Sequence, residues 1–175
     1  MSDLPASTER LVLREMREGD GLAILAVFDD PYARRFYPDM IDPAAAARWI
    51  AANRERYRRD GFGLWALVER TSGALVGDCG LTWQDVEGAP RLEIGYHIAA
   101  PWRGRGLALE AARAVLANAF LATSEDEIGS IVAPDNHASI AVAKRLHGRV
   151  RPCVNARGLD RLFFFTLRQD RQAGG

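Results

Sequence analysis

The sequence predicts a mixed α/β fold: about seven strands in one sheet covered by helices, in the order βααβββαβαββ. Three observations point to it. Apolar periodicity switches between the helical and the strand repeat along the chain. One block of strands is interrupted only by the turn formers Thr71-Ser72-Gly73 and Glu87-Gly88-Ala89-Pro90. The 175 residues, without repeat, low-complexity tract or linker, are enough for one hydrophobic core and short for two. Strands alternating with helices around one hairpin block give a mixed sheet with helical cover.

Taken in order, residues 9–17 (ERLVLREMR) begin with alternating character and read as the first strand. Asp20 is placed to cap a short apolar helix ending near Phe28. Arg34, Arg35, Phe36 and Tyr37 follow in a loop that contains Pro31 and Pro38. Asp42-Pro43 supplies an N-cap and a first-turn proline for a helix to about Asp60, with Ala46, Trp49, Ile50 and Tyr57 as its apolar stripe. FGLWALVER and ALVGDCGLTW form a hairpin about 71–73, and RLEIGYHIA is the third strand of that block. Residues 104–122 make an Ala-rich helix with Leu107, Ala108, Ala111, Ala112, Val115 and Phe120 on its apolar side. A buried-type strand at 128–133, a helix at about 136–146, and strands near 149–156 and 160–168 complete the chain.

Composition sets the class. Apolar residues make up 48% and charged residues 26%, the balance of an ordinary soluble domain. The 23 basic and 23 acidic residues cancel, so no global field draws the chain to nucleic acid or to an anionic membrane. All basic residues but Lys144 are arginine, a bias that fits GC-rich coding in so Ala-rich a chain. No signal peptide is evident at the N-terminus, and no window approaches a membrane span. Cys79 and Cys153 stand outside any CxxC pairing and read as buried thiols in a reducing cytoplasm, the expected location. His97, His137 and His147 show no ligand spacing, so no metal is expected.

The informative segment is RLEIGYHIAAPWRGRGLALEAARAVLANAF. A strand runs into Arg103-Gly104-Arg105-Gly106-Leu107-Ala108 and then directly into a helix. Glycines allow close backbone approach, and the unpaired N–H groups of a first helical turn converge on one spot. The helix dipole adds partial positive charge there, and Arg103 and Arg105 offer charge-assisted contacts to phosphate. Neither GxGxxG nor the P-loop spacing is met.

Arg103, Gly106 and Ala108 do meet the Q/R-x-x-G-x-G/A signature, and here the chain resembles the GCN5-related N-acetyltransferase (GNAT) superfamily. The likeness is greatest to the ribosomal-protein N-terminal acetyltransferases and their relatives. It is carried by TERLVLREMREGD, LEIGYHIAAPWRGRGLALEAA and PDNHASIAVAKRL, and covers about residues 8–168, within a single domain spanning 1–175. The resemblance implies a largely antiparallel twisted sheet. It implies acetyl-CoA as cosubstrate, with backbone groups around Tyr96, His97 and Ile98 beside the pantetheine arm. Main-chain atoms of Arg103, Gly104, Arg105, Gly106, Leu107 and Ala108 would surround the pyrophosphate, and Asn136 and Ser139 would touch the arm or its thiol end. Two departures stand out. Ala143 occupies the position where many relatives carry a tyrosine that protonates the leaving thiolate. The family's frequent Glu-Lys-x-Gly-Phe ending is replaced by Lys144-Arg145-Leu146-His147-Gly148-Arg149.

The implied reaction needs a neutral amine. An α-amine with pKa ~8 is ~1.4 kcal/mol short of neutrality at pH 7, and a lysine-like amine at ~10.4 is ~4.6 kcal/mol short. Glu93 is the expected general base, through water, on the strand face it shares with Gly95 and His97. Pairing with an arginine is the alternative role for Glu93. Ser139 is the expected donor to the leaving sulfur, the alternative being a helix-start hydrogen bond. Trp65, Trp83 and Trp102 are candidates for pocket or for core, and the segment Arg34–Tyr37 with the helix 42–60 for the acceptor-side wall. The acceptor is a protein N-terminus or a small-molecule amine. A non-catalytic acyl-CoA-binding module is the competing class, and the oligomeric state, a homodimer included, is left open.

Overall fold

The computed structural model describes residues 5 and 7–172 of the chain. Its strands are β1 (Leu11–Arg14), β2 (Leu64–Glu69), β3 (Leu75–Val86), β4 (Ala89–Ile98), β5 (Glu127–Val132), β6 (Arg149–Val154) and β7 (Asp160–Leu167). Its α-helices are α1 (Gly21–Phe28), α2 (Pro31–Phe36), α3 (Pro43–Asp60), α4 (Leu107–Ala122), α5 (His137–Leu146) and α6 (Arg168–Gln172). The seven strands form one sheet in the order β1-β2-β3-β4-β5-β7-β6. Every pairing is antiparallel except β4 with β5.

Strand alternation divides the core between the two faces of the sheet. Trp65 and Leu67 of β2 join Leu81, Leu92 and Ile94 under Leu107, Ala111, Ala112, Val115 and Ala119 of α4. Leu64 and Ala66, the intervening residues, meet Ile24, Val27 and Phe28 of α1 and Ala46 and Ile50 of α3. Each fully buried Leu, Ile or Phe contributes about 1.5–3 kcal/mol, so these two apolar layers hold the helices in place. Trp65 is thereby core, whereas Trp83 is partly exposed.

Two local expectations are corrected. The segment expected as a loop around Arg34–Tyr37 is largely the helix α2. The Asp30 carboxylate caps it by accepting from Tyr32 N at 2.9 Å and Ala33 N at 3.1 Å, with Pro31 at its start. Asp20 precedes α1 but makes no side-chain cap. Its carboxylate turns back to Arg17 N and to the fork of Arg14, at 2.7–2.8 Å. Arginine and the tight 3-10 turn at Glu18–Asp20 outcompete the helix amides for it. The Asp42-Pro43 start of α3 is as read, Asp42 accepting from Ala45 N at 2.7 Å.

Candidate active site

The parallel pair β4/β5 is joined only at Leu92–Ile128 and Glu93–Gly129. Beyond that rung the strands diverge, and β4 continues through Tyr96, His97 and Ile98 paired with β3 on one edge and open on the β5 side. Backbone groups at the fork find side-chain partners instead of strand partners. Ser130 Oγ donates to Ile94 O at 2.9 Å, and Ile131 N donates to the Glu93 carboxylate at 3.2 Å.

A cleft of about 360 Å³ opens at this divergence. One wall is α1 and α2 with Tyr37, presenting Phe28, Tyr32, Phe36 and Tyr37. Its floor is Tyr96, His97 and Ile98. Trp102, Arg103, Gly104, Gly106, Leu107 and Ala108 form one end, and α5 with its cap, including Asn136 and Ser139, closes the remaining side. Of the twelve residues expected from the sequence to bind the cofactor or act in transfer, ten thus share one cavity. Glu93 and Arg105 do not line it.

The end at 103–108 has the geometry of an anion cradle. Gly104 and Gly106 take φ of 75° and 79°, the left-handed region that favours glycine. Gly106 is the N-cap of α4 and accepts from Glu110 N at 3.0 Å. Among the described residues, the amides of 104–109 find no backbone acceptor, so the first-turn donors of a 16-residue helix remain open at the cleft. The arginine side chains are differently employed from the phosphate contacts expected of them. Arg103 donates to Ile98 O at 2.8 Å and through both terminal nitrogens to Asp30, at 3.0 and 2.7 Å. Arg105 reaches Pro101 O at 3.0 Å and lies over the Trp102 ring. Both guanidiniums thus brace the turn whose amides stand open.

Asn136 caps α5, accepting from Ser139 N at 3.1 Å and from Tyr32 Oη at 2.7 Å. Ser139 lends its backbone oxygen to Tyr96 Oη at 3.0 Å. Its own hydroxyl makes no hydrogen bond among the described residues and faces a cleft it helps to line. Ala143 is buried, and its methyl has no proton to give. Among the described residues Glu93 makes no arginine pair. Besides Ile131 N, its carboxylate has Thr82 Oγ1 at 3.4 Å, and burial raises its pKa.

Sequence reasoning missed Asp78, and it put Tyr37 and the helix of Trp49 in the acceptor-side wall without a hydrogen-bonding role for either. Tyr37 Oη stands 2.6 Å from His97 Nε2, and His97 Nδ1 stands 2.5 Å from Asp78 Oδ1. Trp49 Nε1 donates to the other oxygen of Asp78 at 2.9 Å. An acid in the middle of the apolar strand ALVGDCGLTW was the available signal for Asp78.

Comparison with known proteins agrees with this geometry. Residues 10–149 match the family described as Acetyltransferase (GNAT) domain. The chain is 31% identical over 140 residues to the protein YkkB of Bacillus subtilis (strain 168), covering 79% of this chain and 81% of that one. An acetyltransferase from Agrobacterium tumefaciens str. C58 superposes with a TM-score of 0.77 at 24% identity, over 91% of this chain and 92% of that one. RimL, a ribosomal L7/L12 alpha-N-protein acetyltransferase in complex with coenzyme A, superposes with a TM-score of 0.74 at 16% identity, over 94% and 97%. The open amides at the α4 start, the fork of β4 from β5 and the family match over most of the chain have one conclusion: this chain belongs to the GNAT acetyltransferase family.

Proposed function

We propose that the protein transfers the acetyl group of acetyl-CoA to a primary amine by direct attack within a ternary complex. One observation carries this reading. A single cleft joins the open amides at the start of α4, through the β4/β5 fork, to an aromatic wall on α1 and α2. The pyrophosphate suits the amide end, where backbone donors and the helix dipole converge. The pantetheine arm suits the unpaired edge of β4 at Tyr96, His97 and Ile98, which offers strand-like hydrogen bonds. Asn136 and Ser139 then stand along the arm, and a β4 amide would face the thioester oxygen as negative charge grows there.

In this reading the amine enters from the wall formed by α1, α2 and Tyr37, and attacks the carbonyl carbon. The C–S bond breaks, and Ser139 Oγ, unencumbered by a protein partner, hydrogen-bonds the departing thiolate. Glu93 stands one step removed from the amine, because its carboxylate is held by Ile131 N and Thr82 at the fork. Any part it takes in deprotonation runs through water. The resemblance to ribosomal-protein N-terminal acetyltransferases favours a peptide α-amine, which needs ~3 kcal/mol less help to reach neutrality than a lysine-like amine.

Thiol release from acetyl-CoA against a panel of peptides, polyamines, amino acids and aminoglycosides tests the reading, and turnover above hydrolysis with at least one amine is expected. A second reading, a module that binds acyl-CoA without turnover, draws on buried Ala143 where relatives supply a phenol. It predicts thermal stabilisation by acetyl-CoA with no thiol released for any acceptor.

A further inference from the structure

The acceptor end of the cleft contains a hydrogen-bonded chain that runs from its surface into the core. Tyr37 and His97 both line the cleft, His97 at 12% side-chain exposure, and Asp78 behind them is fully buried. An ionised Asp78 can only accept, so His97 Nδ1 is the donor in the 2.5 Å contact. A neutral His97 then presents Nε2 as an acceptor, and Tyr37 Oη donates to it at 2.6 Å. The second oxygen of Asp78 is held by Trp49 Nε1, so its direction is fixed from both sides. The rings pack as well: Tyr37 is edge-on to His97 and to Trp49, with Phe28 beside all three. Gly77 lets β3 approach, since a Cβ there would stand 2.1 Å from His97 O.

Such a chain has a defined polarity. With its proton committed to His97, Tyr37 Oη keeps its lone pairs for an N–H donor, and no other partner claims it among the described residues. The charged and titratable groups that act on Tyr37 through space are Glu93 and Tyr96 from β4, Asp78 from β3 and Arg161 from β7. Burial first, and then the two carboxylates, push the phenol above its ordinary pKa. Tyr37 is therefore a poor place to leave a negative charge, and it gains a proton only while passing one on.

We propose that Tyr37 is the catalytic residue that takes the proton from the attacking amine, relaying its own hydroxyl proton to His97, with Asp78 and Trp49 positioning the imidazole. The inference rests on the acetyl-transfer reading above and supplies its direct proton acceptor. As nitrogen bonds to the carbonyl carbon, its surplus proton passes to Tyr37 Oη. The Tyr37 proton passes to His97 Nε2, and the imidazolium is stabilised by Asp78. The thiolate leaves with the electron pair of the C–S bond and takes a proton from solvent. His97 returns its proton through Tyr37 Oη to solvent, which restores the starting state.

The test uses the full chain and the most active amine of the panel. Tyr37→Phe keeps the ring and removes only the relay oxygen. It should lower kcat ~100-fold, within the span of general acid–base catalysis, with KM for acetyl-CoA unchanged. His97→Gln should lower kcat comparably, and the double variant should fall no further than the lower single variant, because the two act as one unit. Asp78→Asn should lower kcat while KM for the amine holds. Long-range ¹H–¹⁵N spectra of the wild type should show His97 protonated at Nδ1 and bare at Nε2, a pattern lost in Asp78→Asn. Tyr37→Phe within twofold of wild type, multiplicative losses in the double variant, or a proton on Nε2 of neutral His97 would each overturn the relay. Wild type that binds acetyl-CoA yet turns over no amine would sink the acetyl-transfer reading and the relay with it.

Discussion

Asp30 performs two connections at once: its carboxylate caps α2 and receives both terminal nitrogens of Arg103. The loop that begins the anion cradle is thus fastened to the helix that forms the acceptor wall. The Asp30 carboxyl is held below its ordinary value, first by the hydrogen bond from Arg103. A depressed carboxyl stabilises the fold above the unfolded value of 3.8, and that stabilisation is lost as pH falls through the folded one. Asp30→Ala should cost about 1 kcal/mol for the lost cap. It should also flatten the acid limb below about pH 4, in denaturant melts taken across that range. An unchanged limb would mean that the pair contributes nothing to acid stability.

Gly106 governs the other side of the cradle. Its φ of 79° is strained for any β-branched residue, although the nearest atom to a built Cβ is Arg10 Nη2 at 3.6 Å. Gly106→Val should fold less stably by ~1–2 kcal/mol and lose the thermal shift given by acetyl-CoA. For the wild type, a hundredfold excess over Kd corresponds to ~2.7 kcal/mol. Thermal unfolding with and without acetyl-CoA measures both. An equal ligand shift in the variant would place the cofactor elsewhere.

What the sequence made legible was the local part of this architecture. Period-two and helical patterns located the seven strands, and Asp42-Pro43 marked the start of α3 within one residue. The same Asp-Pro signal at Asp30-Pro31 was not read as a helix start, because Pro31 and Pro38 together were read as loop residues. The cluster at 103–108 with Asn136 and Ser139 was legible because a motif spacing and an N-cap are properties of neighbouring residues. The Tyr37–His97–Asp78 chain was not. Its members come from the end of α2, from β4 and from β3, and only the β3–β4 register, Asp78 opposite His97, brings two of them together. Glu93 was placed correctly on the face it shares with His97. Its engagement with Ile131 N depends on where β5 parts from β4, which no periodicity encodes.

Ser139 and Tyr96 make a pair whose contributions to turnover should separate. Ser139→Ala removes a hydroxyl that no group among the described residues uses, so folding should be little changed. Loss of one hydrogen bond to the leaving sulfur should lower kcat by ~1–2 kcal/mol, or roughly tenfold, with acetyl-CoA affinity nearly constant. Tyr96→Phe removes the donor to Ser139 O at 3.0 Å and leaves a partly buried ring in place. It should lower melting temperature more than Ser139→Ala does. Steady-state kinetics with isothermal titration of acetyl-CoA distinguishes the cases. If Ser139→Ala loses affinity by the full amount with kcat intact, Ser139 is a binding residue only.

His147 stands in the altered ending after α5, where it is buried rather than exposed. Its Nδ1 lies 2.9 Å from Thr166 Oγ1 and its Nε2 3.3 Å from Ser130 Oγ, tying the end of α5 to β7 and to the fork at β5. Burial lowers its pKa to about 4 from an ordinary 6.5. The unfolded chain therefore binds this proton at a pH where the folded chain does not, and protonation favours unfolding. Stability should fall as pH drops from about 6.5 toward 4 and should level off, for this group, below that. At ~1.4 kcal/mol per pH unit the whole effect is roughly 3 kcal/mol. The window lies above the one in which Asp30 acts, so the two are separable in a single pH series. His147→Gln retains a polar side chain that does not titrate, and should remove the slope between pH 6.5 and 4 while leaving the steeper fall below it. Denaturant midpoints at half-unit pH intervals provide the measurement. A slope that persists in the variant would assign the transition to another group and leave His147 titrating alike in both states.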